Sequence, residues 1–465
     1  MRGVFVFLKC YNIGKSVKIK NFSKLAVTKE RKDALKIAEA GLEAIDTQKV
    51  ILNKVKLQKN SLVINKKVFS IKNVKNIYVV AIGKCAGESA LALEKVLGKK
   101  IKAGIALDVK KVSGLKITKS LAGSHPFPSQ RNANASTEIV NLIKNLSYDD
   151  LVLFVISGGG STLLCLPRSK VRTLPNSSNP NFYYRGAPRK GTCQEETLIV
   201  QKLMDSGATI NEINTVRKHL SVARGGYLAK YAYPAKSIAL IFSDVIGNDP
   251  QFIASGPTVK ATTTIRQALE ILNKYHVQKV CAIEDCCLVE TPKSDEFFSK
   301  VSNQIFVSSE VALKAMSATA KKLGYKVKIC TTCLKGEARG IGAKIAAEIN
   351  RAKPKTILLY GGETTVHVKG KGKGGRNMEL VLSALNTIKS DSLILSLASD
   401  GIDNTDSAGA LCDKLTSEKA EKLKLKPIRY LAENNSYPFF KKTGDYLQTG
   451  KTGSNVSDLV IAIKS

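Results

Sequence analysis

Short continuous apolar runs recur along the chain, each ending in glycine or a polar cluster and followed by a segment of helical spacing. Residues 77–82, 151–156, 237–242, 356–360, 393–397 and 459–463 have the length of buried strands, and 304–308 and 326–330 read as further short strands. Between them, apolar residues three or four apart predict helices. In 30–59 these are Ala34, Ile37, Ala38, Leu42 and Ile45. Further helices are predicted over 88–97, 136–145, 195–204 and 310–323, and from about residue 336. Thr209 followed by Glu212 matches a capping box and predicts another helix start. Strand and helix alternate throughout, so the fold class is α/β with mostly parallel sheets, since parallel neighbours need a crossover between them.

Polar residues at the strand ends carry the candidate chemistry. The run 77–82 delivers Gly83-Lys84, and 151–156 delivers Ser157-Gly158-Gly159-Gly160-Ser161. The run 237–242 delivers Ser243-Asp244, and 393–397 delivers Ser399-Asp400-Gly401. Three glycines between two serines, where a strand hands over to a helix, suit a phosphate or carboxylate cradle. Gly-Lys at such a junction aims an ammonium group into a cleft, although the Walker A spacing is absent. His125, between Ser124 and Pro126, can contact substrate, but a lone histidine beside prolines is more often structural.

The stretch 355–379 concentrates this pattern. A strand ends in Gly361-Gly362-Glu363, a lysine- and glycine-rich loop spans 369–375, and Arg376-Asn377 opens a helix. It reads either as a site for an anionic ligand or as a long hairpin with a solvated lysine turn.

Composition narrows the choices. The 465 residues suffice for two or three domains, and no apolar run is long enough to span a membrane. Lys+Arg is 73 against 38 Asp+Glu, a net charge of +35 that favours anionic partners. Aromatics are only 6% and the lysines are dispersed, which argues against nucleic acid. The ten cysteines suit a reducing compartment rather than a disulfide scaffold. Cys330 and Cys333 form a lone C-x-x-C, for which zinc would need ligands from Cys281, Cys286 or Cys287. The apolar piece 4–8 is too short for a secretory core, so a cytoplasmic protein is expected, with a mitochondrial matrix address if the basic, acid-free residues 1–29 act as a presequence. Residues 168–193 hold six basic residues and three prolines, and read as an insertion loop.

Eight ordered motifs together resemble the glycerate 2-kinase family, whose C-terminal part is the MOFRL domain. They are Gly83-Lys84, the 157–161 loop, Phe242-Ser243-Asp244-Val245, Gly336-Glu337-Ala338-Arg339, Gly361-Gly362-Glu363-Thr364-Thr365, Gly374-Gly375-Arg376-Asn377, Ala398-Ser399-Asp400-Gly401 and the stretch 449–455. The resemblance implies transfer of the ATP γ-phosphoryl group to the 2-hydroxyl of D-glycerate, with Mg²⁺, in a cleft between two α/β domains. On it, residues 30–305 are the N-terminal domain and 306–465 the MOFRL domain. Lys84, Arg376, Asp244 and Asp400 fall on catalytic positions, the two aspartates also being metal-ligand candidates. Ser157, Gly158, Gly159, Gly160, Ser161, Glu363 and Asn377 are the phosphate- and substrate-binding candidates. The expected partners are small molecules, and a homodimer is one assembly open to it. The sequence departs from the family pattern in the 168–193 insertion, at Ser129 and at Asn435, the last two standing where an acidic residue is expected. Two other readings are a hydroxypyruvate reductase and a basic nucleic-acid-binding protein. The first requires a G-x-G-x-x-G fingerprint that Gly83-Lys84-Cys85-Ala86-Gly87 does not supply.

Overall fold

A computed structural model describes residues 17–167, 192–277 and 288–465. Nearly all of the expected 168–193 insertion, the first 16 residues, Cys281, Cys286 and Cys287 lie outside these ranges.

Two six-stranded sheets form the molecule. The first comprises β4 (Asn76–Ile82), β5 (Ile101–Asp108), β6 (Thr118–Ala122), β7 (Asp150–Ser157), β8 (Lys236–Phe242) and β9 (Val301–Val307). Its spatial order is β6-β5-β4-β7-β8-β9, and every neighbouring pair is parallel. The second comprises β10 (Lys326–Leu334), β11 (Thr356–Gly362), β12 (Ser392–Ala398), β13 (Gly409–Cys412), β14 (Tyr446–Leu447) and β15 (Asp458–Lys464), in the order β10-β11-β15-β12-β13-β14. Here only β10 and β11 are parallel. The last strand, β15, inserts antiparallel between β11 and β12. Three short strands, β1 (Val55–Gln58), β2 (Ser61–Ile64) and β3 (Lys67–Ser70), form a separate antiparallel meander, of which only β1 overlaps the 30–59 stretch expected to be helical.

The apolar runs are continuous because both sheet faces are covered. Leu151, Leu153 and Val155 join one core, whereas Val152, Phe154 and Ile156 join the core on the opposite face. Leu459, Ile461 and Ile463 on β15 belong to the same core as Leu153, while Val460 and Ala462 face away from it. The helices Lys29–Ala44, Ala86–Leu97 and Ser309–Lys322 supply the layer between the sheets. Residues 17–28 lead into this layer along the second sheet, where Lys20 N–H donates to Gln448 O and Asn21 Nδ2 to Tyr446 O.

Cys165 and Cys193 form a disulfide, unlike the reduced chain expected from the cysteine count. Folding brings their Cα atoms to 6.2 Å, which spacing in sequence cannot reveal. Cys330 and Cys333 sit on β10, and among the described residues no group of three His, Cys, Asp or Glu side chains is placed to hold a metal.

Candidate active site

In the first sheet the chain builds β4, β5 and β6 to one side and β7, β8 and β9 to the other. The direction reverses between β4 and β7, and open parallel sheets bind ligands beyond the carboxyl ends of strands at such a point. There β4 ends in Gly83-Lys84, β7 in the 157–161 loop and β8 in Ser243-Asp244.

Each glycine of this loop admits a different neighbour. A Cβ on Gly158 would stand 1.9 Å from Asp244 Oδ2, so the Asp244 carboxylate rests against the bare backbone. Gly159, at φ +84°, lies beside Lys84 and His125, with a Cβ position 3.1 Å from Lys84 Cγ and 3.5 Å from His125 Cδ2. Gly160 faces Ala254, 2.5 Å from its would-be Cβ. The glycines therefore let functional side chains press onto the loop. The helix that follows is only Gly160–Leu163, much shorter than the apolar sequence suggests. Ser157 is buried, and its hydroxyl donates to Ile82 O and accepts from Cys85 N–H, so it ties the loop to β4. Ser161 accepts from Ser255 Oγ at 3.0 Å.

Lys84 is exposed at the strand end. Asp244 is half-buried, and burial raises its carboxyl above the ordinary range against the opposing pull of Lys84. His125 is held below its ordinary pKa by desolvation and then by the Lys84 and Arg217 charges.

The second sheet presents a matching edge. Because β15 runs antiparallel, its first residue, Asp458, pairs in register with Gly362 at the end of β11 and with Ala398 at the end of β12. Glu363, Asp458 and Ser399-Asp400 thus emerge together. Arg376 opens the helix Arg376–Leu385 and bridges Glu363 and Asp458. Its Nε and Nη2 donate to the two Asp458 oxygens at 2.6 and 3.0 Å, and its Nη1 donates to Glu363 at 2.5 Å. Burial drives the Asp458 carboxyl up to about 6, although Arg376 pulls the other way. Asp403 is buried beneath the helix start and accepts from the N–H groups of Asn377 and Met378 and from Asn377 Nδ2. Burial pushes its carboxyl to about 7. Asn377, 1% exposed, also accepts from Ser396 Oγ at 2.6 Å, so its amide is engaged within the protein. Asp400 is half-buried and accepts the Ile402 N–H at 3.0 Å.

The lysine-glycine loop is occupied differently from the open anion loop in the sequence reading. Lys369 and Gly370 N–H groups donate to Asn434 Oδ1, Lys373 N–H to Asn435 Oδ1, and Gly372 N–H to Glu433 O. Its glycines admit the 433–436 backbone, and the Lys373 ammonium sits 5.0 Å from the Tyr437 ring centroid. Glycine permits close approach of backbone or of an anion alike, so sequence does not separate the two. Asn435 supplies the acceptor an aspartate would supply. Ser129 likewise caps the helix Gln130–Ile143, so both departures preserve local hydrogen bonding.

The two edges meet. Just before β15, Ser457 Oγ donates to Asp244 O at 2.8 Å and Asn455 Nδ2 to Asp244 Oδ2 at 3.4 Å. Thr452 N–H donates to Asp400 O, so one loop borders both aspartates. Asp244 is thereby linked through Ser457 to the neighbouring Asp458, which Arg376 holds. Sequence reading did not assign Asp458 or Ser457 to the site. Their signal is a polar pair directly preceding an apolar strand, visible in retrospect beside Asn455.

Residues 33–178 and 186–284 match the domain of unknown function DUF4147, and residues 356–458 match the MOFRL family. A Pyrococcus horikoshii protein named glycerate 2-kinase is 35% identical over 457 residues, covering 93% of this chain and 97% of its own. An Agrobacterium vitis protein provisionally named hydroxypyruvate reductase is 36% identical over 353 residues, 73% of this chain and 76% of its own. The crystal structure of a glycerate kinase from Thermotoga maritima superposes with a TM-score of 0.78 at 33% identity, covering 93% of this chain and 99% of that one. With its ordered strand-end motifs, its two-sheet fold and these likenesses over most of its length, the chain belongs to the glycerate 2-kinase family.

Proposed function

We propose that this chain transfers the γ-phosphoryl group of ATP to the 2-hydroxyl of D-glycerate, giving 2-phosphoglycerate and ADP. The observation that carries the reading is the junction at Asp244, where the Lys84 edge of one sheet touches the 455–458 segment that holds Arg376 on the other. Phosphoryl transfer asks for cations around the moving group and an oriented hydroxyl more than for covalent chemistry. Lys84 and Arg376 supply positive charge from opposite sides. Asp244 accepts the hydroxyl proton, a role suited by its raised pKa and by the adjacent Lys84, which stabilises the ionised form. The Ser457 and Asn455 contacts fix its orientation.

The donor chemistry fits Mg²⁺, which takes one or two carboxylates together with phosphate oxygens. Of the two aspartates, Asp400 would hold it. The ion would neutralise phosphate charge during transfer.

A reductase reading lacks its sequence basis, because β4 delivers Gly83-Lys84-Cys85-Ala86-Gly87 rather than a dinucleotide fingerprint. A pair of coupled assays separates the two. ADP release from ATP on addition of D-glycerate supports the kinase, and NAD(P)H oxidation with hydroxypyruvate but no ADP release would replace it with the reductase.

A further inference from the structure

The site holds a cation that the transfer scheme leaves unused. Arg217 lies in the helix Ile210–His219, one turn after Asn214. Ser255 Oγ lies 3.0 Å from Ser161 Oγ and 3.4 Å from Asn214 Oδ1, within hydrogen-bond reach of both, so this part of the helix abuts the 157–161 loop. Residues three apart share a helix face, which directs Arg217 towards the same loop. Its charge reaches His125, the ring that lies with Lys84 against Gly159.

This guanidinium is poorly compensated. Arg217 Nε is buried without a hydrogen-bond partner, and no carboxylate stands within ion-pair distance of Arg217 among the described residues. The nearby carboxylate, Glu196, pairs with Arg224 at 2.8 Å. Arg224 is fully buried, donates from Nη1 to Arg217 O at 3.1 Å, and among the described residues leaves Nε and Nη2 without partners. Two neighbouring guanidiniums thus share one carboxylate, in a place where desolvation and mutual repulsion oppose the Arg217 charge. Buried charge of this kind is costly unless an opposite charge arrives.

We infer that Arg217 binds the carboxylate of the acceptor and selects 2-hydroxy acids over neutral alcohols. This rests on the kinase reading above. A guanidinium fork matches a carboxylate in two parallel hydrogen bonds. In a 2-hydroxy acid the carboxylate and the accepting hydroxyl occupy adjacent carbons. An anchor beside His125 and Gly159 therefore delivers the hydroxyl towards Lys84 and towards Asp244, which lies against the adjacent Gly158.

The test uses the full-length protein and its Arg217→Gln and Arg217→Lys variants, each checked for an unchanged thermal transition. Calorimetric titration measures binding of D-glycerate, its neutral amide and ATP separately. Kinetics follow both acceptors. In wild type, D-glycerate should bind far better than the amide. Both variants should weaken D-glycerate binding and raise its KM on the order of 10²-fold, the scale of lost charge-assisted bonds. Binding of ATP and of the amide should hold, so that discrimination between acceptors collapses. Weakened ATP binding with intact D-glycerate binding would overturn the assignment in favour of a phosphate contact. Unchanged affinities throughout would make Arg217 purely structural. The binding arm stands apart from turnover: wild-type D-glycerate binding that depends on Arg217, without ADP release, would sink the kinase reading and leave the carboxylate site in place. If Arg217→Gln does not fold, Arg217→Lys, which keeps the charge but loses the fork, decides alone.

Discussion

Arg376 donates from all three of its nitrogens to Asp458 and Glu363, so it reaches the cleft as a braced cation rather than a swinging one. An ammonium cannot reproduce this fork while offering further donors to phosphoryl oxygens. Arg376→Lys should therefore lower kcat and kcat/KM for ATP together, on the order of 10³-fold. Steady-state kinetics check this, and a raised KM at constant kcat would reduce Arg376 to a ground-state anchor. The same brace gives a pH dependence. Asp458 titrates at about 6, so acid protonates it and removes the Arg376 fork. Wild-type kcat/KM should fall as pH drops through about 6, whereas Asp458→Asn should be weaker throughout and flat in that range. Stability follows the opposite sign. The folded pKa values of Asp458 and Asp403 lie above the ordinary aspartate value near ~3.9, so their contribution to stability is full below that value and is lost as pH rises towards about 7.

At the scale of elements, strands and loops differed in how well sequence revealed them. All eight predicted runs are strands; six are buried on both sheet faces, which makes the signal continuous, whereas the edge strands β9 and β10 are only partly buried. β5 went unassigned because Lys102 and Gly104 interrupt its apolar run, and β13 and β14 are too short to show a period. The meander β1–β3 was hidden by lysines on exposed positions of a half-buried sheet. The candidate residues at strand ends were legible, since a parallel sheet places such residues along one edge. Asp458 was not, because its place beside Arg376 depends on β15 running antiparallel to β11. The glycine loop after β7 carries the element's own prediction. Gly158→Ala would place a methyl 1.9 Å from Asp244 Oδ2, so the carboxylate must move. Turnover should fall on the order of 10²-fold, the scale of a misplaced reacting group, with far-ultraviolet circular dichroism unchanged. Wild-type turnover would separate Asp244 from the chemistry.

Across the whole molecule, the N-terminal helix locks the layer between the sheets to the second sheet. Arg31 is fully buried, and donates to both oxygens of Asp413 at 2.6 Å, to Asp445 at 2.8 Å and to Thr416 at 3.0 Å. Arg31→Ala takes the guanidinium from Asp413 and leaves Asp445 with Lys419 alone, and should cost about 3–5 kcal/mol. Urea denaturation reads that loss, and an unchanged midpoint would show that the network contributes little. Such a lock matters because the cleft is built from both sheets, with Lys84 and Asp244 on one and Arg376, Asp458 and Asp400 on the other. The central claim is that these two edges together move a phosphoryl group onto the 2-oxygen of glycerate. Phosphorus NMR of the product formed from ATP and D-glycerate tests it most directly. A new resonance from phosphate on the 2-oxygen, stoichiometric with ADP, is the predicted result, and phosphate on the 3-oxygen, or none transferred, would contradict it.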